Sequence, residues 1–376
     1  MLRRLIERRL GDIAATLPPA ASAAAAAAAA ASPTPAPAPA PAPFVRVVHP
    51  TAQLATGPAA GAGGGSILVF DSSFNPPTMA HMELVRQAIA QIAPLPADAA
   101  EPASPPAAAA PAAPRFAHHV LLLATNNMDK PVSGAGIVDR LEMMCLAAGE
   151  IAADPPCHVA LTNQGRFVDK LHALQRIAPA CRPYFVVGAD TLVRLLDARY
   201  YPLRADSAAK AQAHHPLAHA GLRSAMRSFF EGGGRLVCAG RSLDGPDAAA
   251  QGSGRDAGPD AEIEPEEVQR RAFDELLDMH VRAGNLDAAW RSMVLWLPGW
   301  SSLTSQASPM TGRHPGSAIK LADMSSTKVR RLAAEYWRAR DAAADKEHVD
   351  GILGQMRAMA DPRIVDFVIE KQLYRG

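Results

Sequence analysis

One short segment brings together residue types that can bind a phosphate. Residues 67–70 are four consecutive apolar residues, Ile-Leu-Val-Phe, which predict a short buried strand. A polar turn containing Pro76 and Pro77 follows, and a helix is expected to begin near Thr78 with His81 in its first turn. The unpaired N–H groups and the positive dipole end of a helix start attract anions, and a histidine adds a donor that can carry positive charge. The segment therefore predicts a phosphate site above the end of a strand.

A second helix start, near the other end of the chain, has similar chemistry. Ser325, Ser326 and Thr327 are residue types that favour a helix N-cap, and residues 328–340 are rich in helix formers, with Arg330 among the first of them. Ser-Ser-Thr before a basic helix is also a common cap with no ligand. Two such starts at opposite ends of one α/β chain, however, favour one shared nucleotide site.

Both segments resemble the signatures of one known family. Residues 73–81, Ser-Phe-Asn-Pro-Pro-Thr-Met-Ala-His, are similar to the first signature of the HIGH-type nucleotidyltransferases, and most similar to that of the nicotinamide and nicotinic acid mononucleotide adenylyltransferases. Residues 324–330 resemble the same family's Ile-Ser-Ser-Thr-x-(Ile/Val)-Arg element. The resemblance implies catalytic roles for His81 and Arg330. It also implies that the ATP phosphates are bound by Ser72, Ser73, Phe74, Thr78, Ser325, Ser326 and Thr327.

Three stretches in the middle of the chain extend the resemblance. Residues 125–131 are similar to a family segment in which a lysine holds the substrates, which makes Lys130 a third catalytic candidate. Residues 184–192 resemble a segment in which a glycine lets ATP approach and an aspartate contacts nucleotide, here Gly188 and Asp190. Asp190 could equally be a helix N-cap. Residues 235–241 are similar to a family strand that would make Arg241 a further nucleotide contact.

The chain also departs from the family pattern. Ser72 stands where the family usually has glycine, and Ala80 replaces another frequent glycine. The animal enzymes carry a tryptophan that stacks on the nicotinamide ring, whereas residues 161–170 contain none. Phe167 is the candidate for that stacking surface. These features resemble a divergent eukaryotic branch known from fungi and algae, and they leave the base specificity open.

Composition separates folded from low-complexity segments. Ala-, Pro- or Gly-rich stretches lack the bulky apolar residues that offset the entropy of ordering, and they occur at 17–43, 55–65, 91–115 and 242–262. We predict an N-terminal extension at 1–65, made of a helix and a disordered linker. Residues 66–376 then form the nucleotidyltransferase domain, with insertions at about 91–115 and 242–290. Residues 263–288 have helical periodicity and many charges, which predicts a solvated surface helix.

The remaining segments alternate between strand and helix patterns. This order predicts an α/β fold with a Rossmann-like, doubly wound and mainly parallel sheet, as the family resemblance also implies. Asp139–Cys145 resembles a family helix whose methionines face inward, and Met143, Met144 and Cys145 are predicted to be core.

The resemblance implies transfer of the adenylyl group of ATP to nicotinamide mononucleotide, giving NAD and pyrophosphate. The mononucleotide phosphate would attack the α-phosphorus in line, with Mg²⁺ carried by the ATP phosphates. Nicotinic acid mononucleotide is the alternative acceptor. Two other functions stay open: a transferase of the same fold with a different phosphate acceptor, and a nucleotide-binding regulatory relative without transferase activity.

Charge and composition limit the classes of partner that this chain is expected to bind. The net charge is +1, so no global field indicates nucleic acid or a membrane surface. The four cysteines show no Cys-x-x-Cys pair and fit reduced packing thiols. No histidine spacing indicates zinc, and no apolar stretch has the length of a membrane span.

The Arg-rich residues 1–10 resemble an organellar transit peptide but contain Glu7. We expect the cytoplasm or nucleus, with mitochondrion or chloroplast as the alternative; the oligomeric state is not predicted.

Overall fold

Strand β2 (Ser66–Asp71) contains the predicted apolar run and lies in the middle of the sheet. The computed structural model describes residues 1–11, 42–49, 54, 65–92, 116–126, 134–151, 155–179, 181–201, 216–240, 265–304 and 319–375. Within them the other strands are β1 (Val45–His49), β3 (His118–Ala124), β4 (Cys157–Thr162), β5 (Arg182–Gly188), β6 (Arg235–Ala239) and β7 (Val294–Leu297). They form one sheet in the order β1-β4-β3-β2-β5-β6-β7, parallel except for β1 against β4. The predicted α/β, mainly parallel, Rossmann-like sheet is confirmed.

Helices cover both faces of this sheet. The buried side chains of one face come from α1 (Leu2–Leu10), α2 (Met79–Gln91), α3 (Ile137–Ile151), α8 (Ser326–Asp341), α9 (Lys346–Met359) and α10 (Pro362–Glu370). Those of the other face come from α4 (Phe167–Ile177), α5 (Ala189–Leu195), α6 (Pro216–Glu231) and α7 (Pro265–Arg282). No helix in the described part of the chain is both long and apolar enough to cross a membrane.

The winding of the sheet reverses beside β2. From β2 the chain moves outward to β3 and β4, and then returns to β5 on the other side of β2 before continuing to β6 and β7. In doubly wound sheets, ligands bind outside the carboxyl ends of the strands at such a switch point. The loops that follow β2 and β5 are therefore the expected position of a nucleotide site.

Two segments contribute more to the core than the sequence predicts. Within residues 1–65, Ile6 and Leu10 of α1 are fully buried, and β1 pairs with β4 as an edge strand of the sheet. The helix expected at 263–288 is observed as α7, but it is not solvated throughout, because Phe273 and Leu277 are buried against the sheet. The low-complexity stretches 17–41, 55–64, 93–115 and 242–262 lie outside the described residues.

Helix α3 confirms the predicted sulfur-rich core. Met143 and Met144 are fully buried, and Cys145 is 7% exposed. All four cysteines of the chain are free and buried. Their burial raises the pKa of each thiol, which makes them packing residues rather than nucleophiles.

A group of histidines lies where β1, β3 and β4 meet. His158 of β4 is 1% exposed, and its Nε2 lies 3.3 Å from Nδ1 of His118 in β3. Burial, followed by the neighbouring His118, His119 and His49, lowers the pKa of His158 to about 4. The imidazole is therefore neutral in the folded protein at pH 7.

This burial predicts an acid-sensitive fold. The unfolded chain takes up a proton on His158 near pH 6.5, whereas the folded chain resists it down to about pH 4. The contribution of neutral, buried His158 to the free energy of unfolding is thus fully present above about pH 6.5. It is lost as the pH falls towards 4, and the loss amounts to up to about 3 kcal/mol. Urea unfolding of wild type and His158→Leu at several pH values measures the difference. If wild type and His158→Leu lose the same free energy of unfolding between pH 6.5 and 4, protonation of His158 is not the cause of the acid sensitivity.

Candidate active site

The loop between β2 and α2 ends in a capping arrangement centred on His81. Thr78 is the N-cap residue of α2, and its backbone N–H donates to Nδ1 of His81 at 3.0 Å. The Thr78 Oγ1 lies 2.7 Å from the same nitrogen. His81 thus occupies the helix position that glutamate or glutamine holds in a capping box. The local sequence alone fixes this geometry, since Thr78 and His81 are three residues apart.

These contacts define the proton on the His81 ring. Because Nδ1 accepts a backbone N–H, it carries no proton, and the neutral ring holds its proton on Nε2. Nε2 lies 3.2 Å from the Oγ of Ser72, at the carboxyl end of β2. His81 is therefore placed as a neutral donor, whereas the sequence suggested that it could also carry charge.

Phe74 shapes the same loop through its backbone. Its φ of +44° is in the left-handed region, which non-glycine residues seldom occupy. The ring is 1% exposed and lies 5.6 Å from the Phe70 ring and 5.7 Å from the His81 ring, centroid to centroid. Packing of the ring holds the backbone in this conformation, while Ser72 and Ser73 keep contact with solvent.

The start of α8 contacts this loop directly. Ser325 caps α8, since its Oγ accepts from the backbone N–H of Lys328 at 3.3 Å. The Oγ of Ser326 donates to the Pro76 carbonyl at 2.7 Å. The structure therefore brings the two predicted phosphate-binding helix starts together.

Arg330 joins the same two elements. Its Nη1 donates to the Asn75 carbonyl at 2.6 Å, and its Nη2 donates to Thr327 Oγ1 at 3.1 Å. The guanidinium thus lies between the β2–α2 loop and the first turn of α8. A triphosphate bound by the loop and the helix start would be close enough for its charge to be stabilised by Arg330.

Two residues of this site were missed by the sequence analysis. Arg140 of α3 is 4% exposed, and its Nε donates to the Ala135 carbonyl at 2.8 Å while its Nη1 donates to the Ser73 carbonyl at 3.4 Å. Burial, and then the nearby Arg330, lower the pKa of Arg140. Asn75 is 5% exposed and accepts from the Ala135 N–H at 3.2 Å through its Oδ1. The sequence does contain one sign of this second cation, because Arg140 is a charged residue in a helix whose methionines are predicted to be core.

The end of β5 lies beside the end of β2. Phe70 of β2 is in register with Val186 of β5, which places Gly188 next to the loop that begins at Ser72. Gly188 is the N-cap residue of α5, and Asp190 lies in the first turn. The alternative that Asp190 is the N-cap is therefore wrong. Its Oδ2 accepts from Arg194 Nη2 at 2.8 Å.

Phe167 begins α4 on the other face of the sheet. Its ring makes an edge contact with the Phe185 ring at 5.4 Å, and the Nζ of Lys170 lies 4.9 Å from its centroid. Lys170 also forms a buried ion pair with Asp71, the last residue of β2. The sequence did not single out this pair. The Phe167 ring is thus fixed at the carboxyl edge of the sheet, as a stacking surface requires.

The predicted residues fall into three groups. Those of the β2–α2 loop and the start of α8 meet through direct contacts. Gly188 and Asp190, at the end of β5, and Phe167, after β4, lie at the same edge of the sheet, with β3 and β2 between those two strands. Lys130 and Arg241 lie outside the described residues.

This arrangement is suited to a phosphate chain. It contains two helix starts, several hydroxyls and the guanidinium groups of Arg330 and Arg140, all of which stabilise negative charge. In the described ranges, no group of three or more His, Cys, Asp or Glu side chains is arranged to hold a metal. The nearby carboxylates of Asp71 and Asp190 are paired with cations.

A comparison with known proteins finds a similar curated protein. No protein-family model matches it. A curated protein of Schizosaccharomyces pombe, provisionally named a nicotinamide mononucleotide adenylyltransferase, is 26% identical over 179 residues. The chain is similar to this relative, and its motifs resemble those of the nicotinamide/nicotinic acid mononucleotide adenylyltransferases. The match covers 48% of this chain, and the chain spans about half (55%) of the curated relative's length.

Two solved structures of one adenylyltransferase are also similar. Both are of Plasmodium falciparum nicotinic acid mononucleotide adenylyltransferase, one complexed with NaAD and one with APC. They are 11% and 10% identical to this chain, with TM-scores of 0.40 and 0.39. Each alignment covers 82% of this chain and 97% of the other.

One departure from the adenylyltransferase family pattern has a structural consequence. Where the family usually has glycine, the hydroxyl of Ser72 contacts Nε2 of His81 at 3.2 Å. Glycine has no side chain to make this contact. In this chain, the loop itself therefore contacts the histidine donor.

Proposed function

We propose that this protein joins ATP to nicotinamide mononucleotide, giving NAD and pyrophosphate, with nicotinic acid mononucleotide as a possible second acceptor. The contact between the two helix starts carries the proposal: Ser326 Oγ donates to the Pro76 carbonyl at 2.7 Å. Two anion-binding helix starts held this close suit one triphosphate better than two separate ligands. The named relative supports the choice of mononucleotide acceptor.

The chemistry needs positioning and charge stabilisation. An oxygen of the mononucleotide 5′-phosphate attacks the α-phosphorus of ATP and forms the new phosphorus–oxygen bond. The bond from the α-phosphorus to the oxygen bridging to the β-phosphorus breaks on the opposite side, and pyrophosphate leaves with that electron pair. No covalent enzyme intermediate is required. His81 would donate from Nε2 to the phosphates, and the start of α8 with Arg330 would stabilise the leaving pyrophosphate.

The other predicted residues have supporting roles in this proposal. Ser72, Ser73 and the Phe74 backbone would line the phosphates, Gly188 would allow close approach of ATP, and Phe167 would stack on the base of the acceptor. Asp190 would contact nucleotide; Lys130 and Arg241 stay predictions. Mg²⁺ would arrive as MgATP, part of the substrate, because it keeps several waters and needs few protein ligands.

An acceptor panel tests the proposal. The purified full chain is incubated with MgATP and, in turn, nicotinamide mononucleotide, nicotinic acid mononucleotide, phosphopantetheine and flavin mononucleotide. We expect a dinucleotide and pyrophosphate with one or both pyridine mononucleotides. Binding of a non-hydrolysable ATP analogue is measured by calorimetry in parallel. Analogue binding without any dinucleotide from the pyridine mononucleotides contradicts the proposal and favours a different acceptor or a regulatory nucleotide-binding protein.

We also propose a cytoplasmic or nuclear location over an organellar one. The support is that α1, the segment resembling a transit peptide, is part of the folded core through Ile6 and Leu10. Arg3 of the same helix pairs with Asp139 and Glu142 of α3. Removing this helix would expose the core beneath it.

A further inference from the structure

Asn75 connects four separate parts of the chain. It lies in the β2–α2 loop, and its carbonyl accepts from Arg330 of α8 at 2.6 Å. Its Oδ1 accepts from the Ala135 N–H before α3 at 3.2 Å. The same Oδ1 accepts from the hydroxyl of Tyr374 at 2.8 Å. Tyr374 is 299 residues away in sequence and has no part in the phosphate-binding motifs.

The segment that carries Tyr374 is anchored to α8. The Leu373 carbonyl accepts from Trp337 Nε1 at 3.0 Å, and Arg375 pairs with Asp341 at 2.8 Å. Tyr374 itself has a φ of +58°, a backbone conformation that tyrosine seldom adopts. Contacts on both sides therefore hold the phenol in a fixed place against Asn75.

Gly134 closes the pocket around this contact. Its φ is +83°, and a Cβ there would lie 2.7 Å from Nδ2 of Asn75 and 3.2 Å from Cε1 of Tyr374. The Asn75 amide and the Tyr374 ring thus occupy the space that a side chain at residue 134 would need. Glycine at this position therefore leaves room for the hydrogen bond between the Tyr374 hydroxyl and Asn75 Oδ1.

Two of the charges near Tyr374 belong to the candidate phosphate site. Arg140 and Arg330 both contact the β2–α2 loop, whereas the nearby carboxylate of Asp139 pairs with Arg3. Burial raises the pKa of Tyr374 well above its ordinary value. The phenol therefore remains a neutral hydrogen-bond donor throughout the physiological range.

We propose that Tyr374 is a positioning residue for ATP: its hydroxyl fixes Asn75, and Asn75 in turn holds the β2–α2 loop against Arg330. This inference rests on the proposed function for one premise only, which is that the ligand bound by the loop is ATP. Tyr374 does not itself reach the reacting atoms. It acts through the loop that carries Ser72, Thr78 and His81.

The test removes one oxygen atom from the full-length chain. Tyr374→Phe keeps the ring and loses the hydroxyl. Loss of one neutral hydrogen bond is expected to weaken binding of a non-hydrolysable ATP analogue by about 2- to 10-fold. KM for ATP should rise by a similar factor, with KM for the mononucleotide unchanged. Amide hydrogen exchange in residues 72–78 should become faster.

Tyr201→Phe is the matched control. The Tyr201 hydroxyl is buried and donates to the Leu195 carbonyl at 3.0 Å, on the opposite face of the sheet. Its loss should lower stability to a similar extent but leave ATP-analogue affinity and exchange in 72–78 unchanged. A second test combines Tyr374→Phe with Asn75→Leu, in which the tyrosine substitution should have no additional effect on affinity.

Two outcomes overturn the inference. One is that Tyr374→Phe leaves both analogue affinity and loop exchange unchanged. The other is that Tyr201→Phe changes them equally, which indicates general destabilisation. If the wild type makes no dinucleotide but binds the analogue, the proposed function fails while analogue affinity and loop exchange still decide the role of Tyr374.

Discussion

Replacing His81 by asparagine is expected to lower kcat for dinucleotide formation by about 10²–10³ while leaving the fold intact. The asparagine oxygen can take the place of Nδ1 and accept the Thr78 N–H, so α2 remains capped. What is lost is the donor at Nε2, which lies 3.2 Å from Ser72 Oγ at the predicted phosphate site. Steady-state kinetics with MgATP and nicotinamide mononucleotide measure the effect, and thermal unfolding checks the fold.

His81→Gln is the matched variant, because its amide nitrogen reaches the position of Nε2 but leaves Nδ1 unreplaced. It should retain more activity than His81→Asn, although it should be less stable at the start of α2. The reverse order of activity would mean that His81 contributes through the capping of α2. In that case the Nε2 proton would have no part in phosphate stabilisation.

The two helix starts of the candidate site are predictable from the sequence because their chemistry is local. Thr78 and His81 are three residues apart, and Ser325 caps α8 through the N–H of Lys328, also three residues on. N-cap residue types, proline and the following helix formers all lie within one short window of sequence. The parallel order of strands also follows from the alternation of apolar and helical segments.

Residues that act through tertiary contacts were not predictable in this way. Arg140 reaches the Ser73 carbonyl across 67 residues of sequence, and Tyr374 reaches Asn75 across 299. Neither residue lies in a segment whose local pattern indicates a ligand. Their roles depend on how α3 and α8 pack on the same face of the sheet, which periodicity alone does not determine.

Strand β1 was missed for a different reason. Its five residues, Val45–His49, include Arg46 and His49, so the apolar pattern is short and interrupted. Contacts with β4 stabilise β1. The Thr162 hydroxyl of β4 donates to the Phe44 carbonyl at 2.6 Å. Edge strands of this kind gain their stability from a partner strand more than from their own sequence.

Lys170→Met is expected to cost about 3–5 kcal/mol in the free energy of unfolding, because it leaves the carboxylate of Asp71 buried without its counter-ion. The side chains of Lys170 and Asp71 are only 4% and 13% exposed. Methionine has a similar length, so the main change is loss of the charge that pairs with Asp71 and lies over the Phe167 ring. Urea unfolding at pH 7 gives the free energy directly.

The Arg166–Asp169 pair provides the matched control. It lies on the same helix start but is 37% and 28% exposed, so Arg166→Met should cost less than about 1 kcal/mol. Adding Asp71→Asn to Lys170→Met should recover much of the lost stability, since no buried charge then remains. If Lys170→Met costs no more than Arg166→Met, the buried Asp71 carboxylate does not depend on Lys170 for its stability. The pair would then not be what fixes Phe167 and α4 against the end of β2. A large cost together with recovery in the double variant would instead make this ion pair the contact that holds α4, with Phe167, against the end of β2.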